Sequence, residues 1–261
     1  YRLRAVAVNS EPPNWRRQIG AARLAPPCLT PALQPGYNDD ITSLRVGAFM
    51  SIYRDYARVY DNSGQLAFSL RMIPYLNLLI ERHHVTGSVM LDLACGTGTI
   101  AIAMAQAGWR VYGVDASAEM LAEARAKTDE SGVQVTWSQQ DMRQVVLPEQ
   151  AHLVTCLYDS MNYMLTDQDL LATFRSVSRL LQPGGLFLFD MNTAWVMASI
   201  WDDEIYFTDS DDLSMIMQSE YDRKRQRTTV VVTCFERVGD CYRKIVEEHQ
   251  EQAYPPEHVA T

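Results

Sequence analysis

Apolar and polar positions change their spacing in a regular order between residues 89 and 191. Residues 89–100 begin with an apolar run that contains one acid, Asp92, and this run ends at Gly96 and Gly98 before a helical pattern starts. Such a pattern predicts a buried strand, a tight turn and the start of a helix. The order of strand and helix recurs, which predicts a parallel sheet with helices on both faces. Further strands are predicted over 109–114, 133–137, 152–157 and 186–191, and helices over 99–107, 117–127 and 167–181.

Two more helices are predicted before the first strand. Tyr53, Tyr56 and Tyr60 recur at helical spacing, which predicts a helix over residues 51–61 with an aromatic stripe. A second, amphipathic helix is predicted over residues 66–83. It ends at two adjacent histidines, which cannot face one metal ion from the same helix. No metal site is therefore predicted.

The pattern changes after Trp201. A segment with six acidic residues between positions 202 and 212 is predicted to be a solvated loop, with attraction of a cationic substrate as the alternative. Period-two alternation follows, and the turns that interrupt it predict three antiparallel strands. These strands are predicted over 213–221, 228–236 and 242–251.

Residues 1–49 differ from the rest of the chain. Six prolines fall in this segment and apolar periodicity is absent, while Met50 precedes the first recognisable helix. We expect an irregular extension with little fixed structure. An arm that packs over the active site or onto a partner is the alternative.

The net charge of −9 is unevenly distributed. Residues 1–49 carry six arginines and three acidic residues, which leaves 17 basic and 29 acidic residues, a net charge of −12, for the remainder. Nucleic-acid binding depends on cationic patches, so this charge favours a small substrate, including a cationic or amine-bearing one. The five cysteines show no metal-binding or disulfide spacing, and no apolar run is long enough for a membrane span. A reduced, cytoplasmic protein is expected, and whether it forms a homo-oligomer stays open.

The glycine turn predicts a small-molecule site. Gly96 and Gly98 fit the dinucleotide pattern, but Asp92, four residues before the first glycine, would repel a pyrophosphate. The second strand ends at Asp115, 19 residues after Gly96, where a carboxylate can accept from both hydroxyls of a ribose. A ribose without phosphate, together with an amino-acid ammonium group, describes S-adenosylmethionine.

Residues 91–98 and 113–121 together resemble the motifs of the class I S-adenosylmethionine-dependent methyltransferases. The resemblance covers roughly residues 53–248 and is nearest to the branch that includes glycine and amino-sugar N-methyltransferases. It implies an α/β fold, a Rossmann-like doubly wound sheet over residues 50–200, and an antiparallel β cap over residues 201–261. Members of the family continue into one more helix and two strands. We therefore expect a C-terminally truncated chain with one unpaired parallel sheet edge.

The resemblance also implies a cofactor site for S-adenosylmethionine. Met120 would cover one face of the adenine, Asp141 would accept from its amino group, and Met142 would offer a backbone N–H. The full set of predicted cofactor-binding residues is Asp92, Ala94, Gly96, Gly98, Asp115, Ala116, Met120, Asp141, Met142, Leu157 and Tyr60.

A polar and aromatic cluster at residues 158–164 follows the fourth predicted strand, at the sheet edge where catalysis is expected. Methyl transfer from a sulfonium requires mainly positioning, so no nucleophilic serine or metal cluster is needed. The predicted catalytic residues, which would orient the acceptor or take its proton, are Asp159, Asn162, Tyr163 and Tyr56. A non-catalytic S-adenosylmethionine-binding protein and an NAD-dependent oxidoreductase are the alternatives.

Overall fold

A computed structural model describes the backbone of residues 4–8 and the backbone and side chains of residues 52–259. Most of the predicted irregular extension, residues 1–49, lies outside this part of the chain. Two β-sheets organise the described residues. None of the helices in these residues has both the length and the apolar content that a membrane crossing requires.

The larger sheet has six parallel strands in the order β1-β6-β5-β2-β3-β4. The chain builds outward from β2 through β3 to β4 and then crosses back to β5, so the strand order reverses between β2 and β5. Open α/β sheets bind ligands beyond the carboxyl ends of the strands at such a point. The strands are β1 (Arg4–Val8), β2 (Val89–Leu93), β3 (Arg110–Asp115), β4 (Val135–Gln139), β5 (Ala151–Cys156) and β6 (Leu181–Asp190).

The helices connect and cover these strands. Two of the longer ones begin at side-chain caps, because the Ser117 hydroxyl accepts from the backbone N–H of Met120 and the Thr166 hydroxyl accepts from that of Asp169. The helices are α1 (Ala57–Tyr60), α2 (Leu66–Arg82), α3 (Thr99–Gln106), α4 (Ala118–Ser131), α5 (Asp167–Leu180), α6 (Ala194–Val196) and α7 (Pro256–Val259). Shorter 3-10 turns lie at Asp61–Ser63, Met142–Gln144 and Ser160–Tyr163, and a π-helical turn lies at Met197–Trp201.

Both faces of the large sheet are covered, which explains the continuous apolar runs in its central strands. In β2, Leu91 and Leu93 pack in the layer that contains Val177 of α5. Met90 points to the opposite face and packs with Leu76 of α2. Asp92 shares the face of Met90, since side chains alternate along a strand.

The second sheet is antiparallel, in the order β10-β9-β8-β7. Its strands are β7 (Glu204–Asp209), β8 (Leu213–Asp222), β9 (Arg227–Val238) and β10 (Cys241–Gln252). Alternate residues of β9, including Val230 and Val232, are buried and pack with Tyr56 and Val59 of the N-terminal helical segment. We call this sheet the cap. The two sheets together confirm the predicted fold class.

Four details of the prediction are wrong. The helix predicted over residues 51–61 is α-helical only over Ala57–Tyr60, and Tyr53 lies in a turn with a φ of +60°. The segment predicted as an acidic loop contains β7, an edge strand that pairs with β8. The parallel edge beside β6 is occupied, because Arg4–Val8 pair with Leu186–Asp190. The strand predicted over residues 186–191 begins earlier, because β6 runs from Leu181 to Asp190 and its register against β5 shifts between residues 151 and 153.

Candidate functional site

The turn after β2 leaves open space beside Gly96. This residue has a φ of +54°, and a Cβ added to it would meet no atom within 4 Å. Its backbone N–H donates to Asp115 Oδ2 at 2.8 Å. A glycine in the left-handed region with space in front of it allows a ligand to approach the backbone closely.

Gly98, the second glycine of the turn, lies against an aromatic side chain. A Cβ on Gly98 would lie 2.5 Å from the Trp137 ring, and one on Gly113 would lie 2.2 Å from the same ring. The ring is fixed further by its Nε1–H, which donates to Thr128 Oγ1 at 3.0 Å. Packing against Trp137 thus requires a glycine at position 98, and contact of this residue with a cofactor stays a prediction.

Asp115 lies at the end of β3 with both carboxylate oxygens held by the backbone. Oδ2 accepts from Gly96, and Oδ1 accepts from the N–H of Ser117 at 2.8 Å. Burial raises the pKa of this carboxyl, while the hydrogen bonds from Ser117 and Gly96 oppose the rise. Each oxygen retains a second lone pair, so the carboxylate can also accept from a pair of ligand hydroxyls.

Asp92 is buried beneath the glycine turn. Thr155 Oγ1 donates to its Oδ1 at 2.6 Å. Burial raises the pKa of Asp92 to about 7, and the neighbouring Asp115 adds to the rise. A cationic group placed here would favour the ionised carboxylate.

An ion pair crosses the glycine turn. Lys127 Nζ lies 2.7 Å from Asp61 Oδ2 and donates to the hydroxyls of Thr97 and Thr99 at 3.0 and 2.9 Å. Thr97 Oγ1 in turn donates to Asp61 Oδ1 at 2.7 Å. This network connects the N-terminal helical segment to α4 and to the turn. No local sequence pattern indicated it.

The predicted adenine corner contains an additional ion pair. The side chain of Arg143 donates from Nε to both oxygens of Asp141, at 2.9 and 3.0 Å, and also pairs with Asp169. The hydrogen bonds from Arg143 outweigh burial and lower the pKa of Asp141. Met142 is half-buried and packs against the main core. Adenine binding by these two residues stays a prediction.

The other predicted cofactor residues surround the same strand ends. Met120 and Leu157 are buried, Ala116 is exposed, and Ala94 has a φ of +55° as the chain leaves β2. Tyr60 follows in the N-terminal segment, where burial raises the pKa of its phenol well above the usual value. Their roles toward a cofactor also stay predictions.

The loop after β5 is held in a conformation that non-glycine residues seldom adopt. Tyr158 and Asp159 have φ values of +64° and +52°. The carboxylate of Asp190, at the end of β6, accepts from both backbone N–H groups, at 2.6 and 3.1 Å. Consecutive left-handed residues are costly and tend to occur at functional sites.

Asp159 and Glu251 form a buried carboxyl pair. The Asn192 side-chain amide donates to Asp159 Oδ2 at 2.9 Å and to Glu251 Oε2 at 3.3 Å, which brings β10 of the cap to the β5 loop. Burial raises the pKa of Asp159 well above its usual value, and Glu251 and Asp190 add to the rise. Burial likewise raises the pKa of Glu251.

Both halves of the site converge on the end of β5. Burial raises the pKa of the Cys156 thiol well above its usual value, and four carboxyl groups add to the rise. These are the groups of Asp190, Asp92, Asp115 and Asp159. The acids beside the glycine turn and the acids of the β5 loop thus lie within electrostatic reach of one side chain.

A cavity of about 110 Å³ lies between the β5 loop and the cap. Its walls are largely aromatic, with carboxyl groups at one side. The lining residues include Tyr53, Tyr60, Tyr158, Asp159, Tyr163 and Glu251.

Tyr163, which was predicted to be catalytic, belongs to a chain of polar groups on the cavity wall. Its hydroxyl lies 2.7 Å from that of Tyr53 and 3.1 Å from His249 Nδ1. His249 Nε2 has no hydrogen-bond partner among the described residues, since its nearest carboxylate oxygen, Oε2 of Glu247, is 3.5 Å away. This distance is too long for a hydrogen bond but allows an electrostatic contact.

Two of the four predicted catalytic residues have structural roles in the described structure. Asn162 is fully buried, and its amide donates to the carbonyls of Asn192 and Gln252 and accepts from the N–H of Asn192. Tyr56 contributes its ring to the cavity wall, but its hydroxyl lies 2.8 Å from Ser63 Oγ. The same hydroxyl also lies 3.3 Å from Met215 Sδ, so its hydrogen-bond partners are Ser63 and Met215.

Several site residues were missed in the sequence analysis. Glu247, His249 and Glu251 lie on the buried face of β10, where the period-two pattern places them on the face of Ile245. Polar residues at three successive inward positions were the available signal. Asp190, an acid at the end of an apolar strand, was a second signal. Tyr53 was identified only as a member of the aromatic stripe, and nothing in the local pattern indicated Asn192.

Comparisons with known proteins agree with this geometry. A family model described as a methyltransferase domain matches residues 90–185. A putative methyltransferase, YqeM of Bacillus subtilis, is 34% identical over 209 residues, which cover 79% of this chain and 82% of that protein. A ubiquinone biosynthesis O-methyltransferase of Serratia proteamaculans is 31% identical over 177 residues, with coverage of 65% and 69%.

Solved structures share the fold. An S-adenosylmethionine-dependent methyltransferase from Clostridium acetobutylicum has a TM-score of 0.71 at 27% identity, with 79% of this chain and 84% of that chain covered. The sugar N-methyltransferase KedS8 from a Streptoalloteichus species has a TM-score of 0.66 at 18% identity, with coverage of 89% and 87%. At that identity the second likeness concerns the fold alone.

Proposed function

Because the chain belongs to the class I S-adenosylmethionine-dependent methyltransferases, we propose that it methylates a small molecule held in the cavity beside Asp159 and Tyr163. The observation that carries this proposal is the position of the cavity. It lies against the loop that follows β5, next to the point where the strand order reverses. The acceptor would therefore face the end of the sheet that binds the cofactor.

The residues beside Gly96 fit S-adenosylmethionine. The space in front of Gly96 admits a ligand to the backbone, and Asp115 offers lone pairs to a ribose diol. The Asp92 carboxylate favours a cation nearby, such as the ammonium of the methionine part. S-adenosylmethionine supplies a methyl group that its positively charged sulfur has already activated.

The chain's own contribution to catalysis would be orientation and the exclusion of water. Positioning of this kind supplies about 7–11 kcal/mol when the reacting atoms are held in line. Tyr163 and Asp159 are the side chains in the cavity that we assign to acceptor binding, and Tyr53 and Glu251 join them. Asn162 and Tyr56 would support the walls instead of touching the acceptor.

A small acceptor fits the charge and the volume better than a nucleic acid does. The chain has a net charge of −9, and the cavity of about 110 Å³ is lined by carboxyl groups. Phosphate backbones are bound by cationic surfaces. Neither a non-catalytic role nor NAD chemistry is favoured by any of these features.

Two measurements test the proposal. Isothermal titration of the full chain should give heat with S-adenosylmethionine and S-adenosylhomocysteine and none with NAD. Release of S-adenosylhomocysteine should then be followed on panels of small amines, phenols and carboxylic acids. Cofactor binding without turnover on every panel would contradict the small-molecule assignment, and absence of cofactor binding would contradict the cofactor site itself.

A further inference from the structure

Two carboxyl groups in the cavity wall have no cationic partner in the described chain. The ion pairs formed within residues 52–259 include neither Asp159 nor Glu251, and the same is true of Asp190 behind them. Buried charges are normally paired. The one basic side chain among the described cavity-lining residues, His249, faces Glu247 at 3.5 Å.

Asn192 is the only polar side chain that donates to both carboxyl groups within the described residues. This one amide group donates to one oxygen of each carboxyl, and both residues line the cavity. Burial raises the pKa of Asp159 and of Glu251, because each ionised form lacks a counter-charge. An incoming cation would supply that charge.

The rest of the cavity wall consists of phenol rings. The centroid of the Tyr53 ring lies 5.9 Å from that of Tyr60 and 6.1 Å from that of Tyr163. Burial raises the phenol pKa of all three well above its usual value, so the rings stay neutral at physiological pH. The faces of neutral aromatic rings attract ammonium groups.

From this arrangement, and resting on the proposed function, we propose that the methyl acceptor is a small amine that enters the cavity as an ammonium cation. Asp159 and Glu251 bind the charged nitrogen, and the rings of Tyr53, Tyr60 and Tyr163 surround it. The cavity thus combines the two groups that recognise ammonium ligands, carboxylate and aromatic face.

The carboxyl pair also provides a destination for the proton that the amine must lose. An ammonium R–NH₃⁺ transfers one proton to a carboxylate, which gives R–NH₂ and a carboxylic acid. The nitrogen lone pair then forms the new bond to the methyl carbon, while the carbon–sulfur bond breaks and its electron pair stays on sulfur. The product is R–NH₂–CH₃⁺ together with the neutral thioether, so charge and atoms balance.

Acidic acceptors fit this cavity poorly. A carboxylate or phenolate acceptor would place a third negative charge beside Asp159 and Glu251, with Asp190 close behind. Like charges at short range in a buried site oppose each other strongly. The same carboxyl pair that attracts an amine therefore excludes the anionic acceptors.

The charge requirement is testable with a pair of ligands of the same shape. Choline carries a permanent positive charge, and 3,3-dimethylbutan-1-ol is its neutral isostere. Both are titrated into the full chain saturated with S-adenosylhomocysteine. We expect choline to bind at least tenfold more tightly than the alcohol. Equal affinities, or no choline binding, would overturn the amine assignment.

Variants assign the effect to the carboxyl pair. Glu251→Gln and Asp159→Asn should each weaken choline binding at least tenfold and leave alcohol binding unchanged. Glu248→Gln, an exposed neighbour on the same strand, is the matched control and should change neither. If Glu251→Gln and Asp159→Asn bind choline as the wild type does, the proposal is wrong.

Titration with S-adenosylhomocysteine separates this proposal from the proposed function. The variants should retain their affinity for S-adenosylhomocysteine, which also shows that they fold. If the wild type binds S-adenosylhomocysteine but does not discriminate between the two probes, only the amine assignment fails. If it does not bind S-adenosylhomocysteine, the proposed function fails first.

Discussion

The open space in front of Gly96, which we call the notch, and the cavity beside Asp159 both contain buried acids. The two sites are assembled differently. In the notch, Asp115 is held by Gly96 and Ser117, which lie 19 and 2 positions away. In the cavity, Glu251 is hydrogen-bonded to Asn192, which lies 59 positions away in the sequence. Tyr53 is hydrogen-bonded to Tyr163, which lies 110 positions away. The first arrangement is a property of a few strand ends, whereas the second requires the cap to be in place.

The two groups of acids also differ in how their negative charge is stabilised. The carboxylate of Asp115 accepts two backbone N–H groups, which oppose the effect of burial on its pKa. Asp159 has a single side-chain donor and two acidic neighbours. The charge of Asp115 is already stabilised by N–H groups, so this site suits a neutral diol. Asp159 lies close to other acids, so a cation would stabilise its charge most. Five predictions on four variants test this difference.

The largest effect is expected for Asp115→Asn. The amide cannot accept from both Gly96 and Ser117, and it presents a donor where the carboxylate offers lone pairs to ribose hydroxyls. S-adenosylhomocysteine should bind about 100-fold more weakly, which corresponds to about 2.7 kcal/mol. Isothermal titration measures the loss, and Asp129→Asn on the exposed side of α4 serves as the control. An affinity within twofold of the wild type would remove Asp115 from the cofactor site.

Glu247→Gln should destabilise the fold by about 2 kcal/mol. The Glu247 carboxylate accepts the backbone N–H groups of Tyr53, Asp55 and Tyr56 at 2.7, 2.9 and 2.9 Å. Burial alone would raise the pKa of Glu247, but these hydrogen bonds and the nearby His249 outweigh it and lower the pKa. Urea unfolding at pH 7 measures the change, with Glu248→Gln as the control.

The pH dependence of the same variant is a sharper check. A lowered folded-state pKa stabilises the protein above the unfolded pKa of about 4.5. That contribution disappears as the pH falls through the folded pKa. The difference between wild type and Glu247→Gln should therefore shrink on acidification below pH 4.5. A constant difference would show that the charge of Glu247 does not matter.

Asp92 should produce the opposite pH dependence in the protein without ligand. Its folded-state pKa of about 7 lies above the unfolded value of about 4. Between these values the folded state retains the proton, so stability falls as the pH rises, by up to about 1.4 kcal/mol per pH unit. Asp92→Asn should lack this part of the slope in urea unfolding between pH 5 and 7. Identical slopes in both proteins would contradict the buried, uncompensated carboxyl.

The smallest effect is expected for Lys127→Met. Lys127 and Asp61 are both partly exposed, and ion pairs of this kind contribute about 1 kcal/mol or less. A double-mutant cycle with Asp61→Asn, followed by thermal unfolding, gives the coupling energy directly. A coupling near zero would mean that the network does not hold the N-terminal segment against the glycine turn.

The sequence predicted the elements of the large sheet because each depends on local signals. Strands β2 and β3, the glycine turn and the Ser117 cap follow from short patterns, and the structure contains all of them. The strand at Arg4–Val8 was missed, since its pairing partner lies more than 180 residues away. No periodicity in the segment itself indicates where a lone edge strand docks.

The candidate cavity was predicted only in part, for a related reason. Tyr163 and Asp159 were found because they follow a central strand. Glu251 and His249 are separated from that strand by the whole cap, and their role appears only when β10 folds back over the β5 loop. Asn162 was predicted to be catalytic because it belongs to the polar cluster after that strand, and the sequence does not show that its amide is fully buried.

The tyrosine-rich turn at residues 53–56 is anchored at one side to the cap, through Glu247, and the segment that continues from it is anchored to the glycine turn through Asp61. One short stretch of backbone therefore connects the cap to the glycine turn. We expect S-adenosylhomocysteine to leave only when these anchoring contacts break. The rate of this opening, and not the rate of methyl transfer, would then limit turnover.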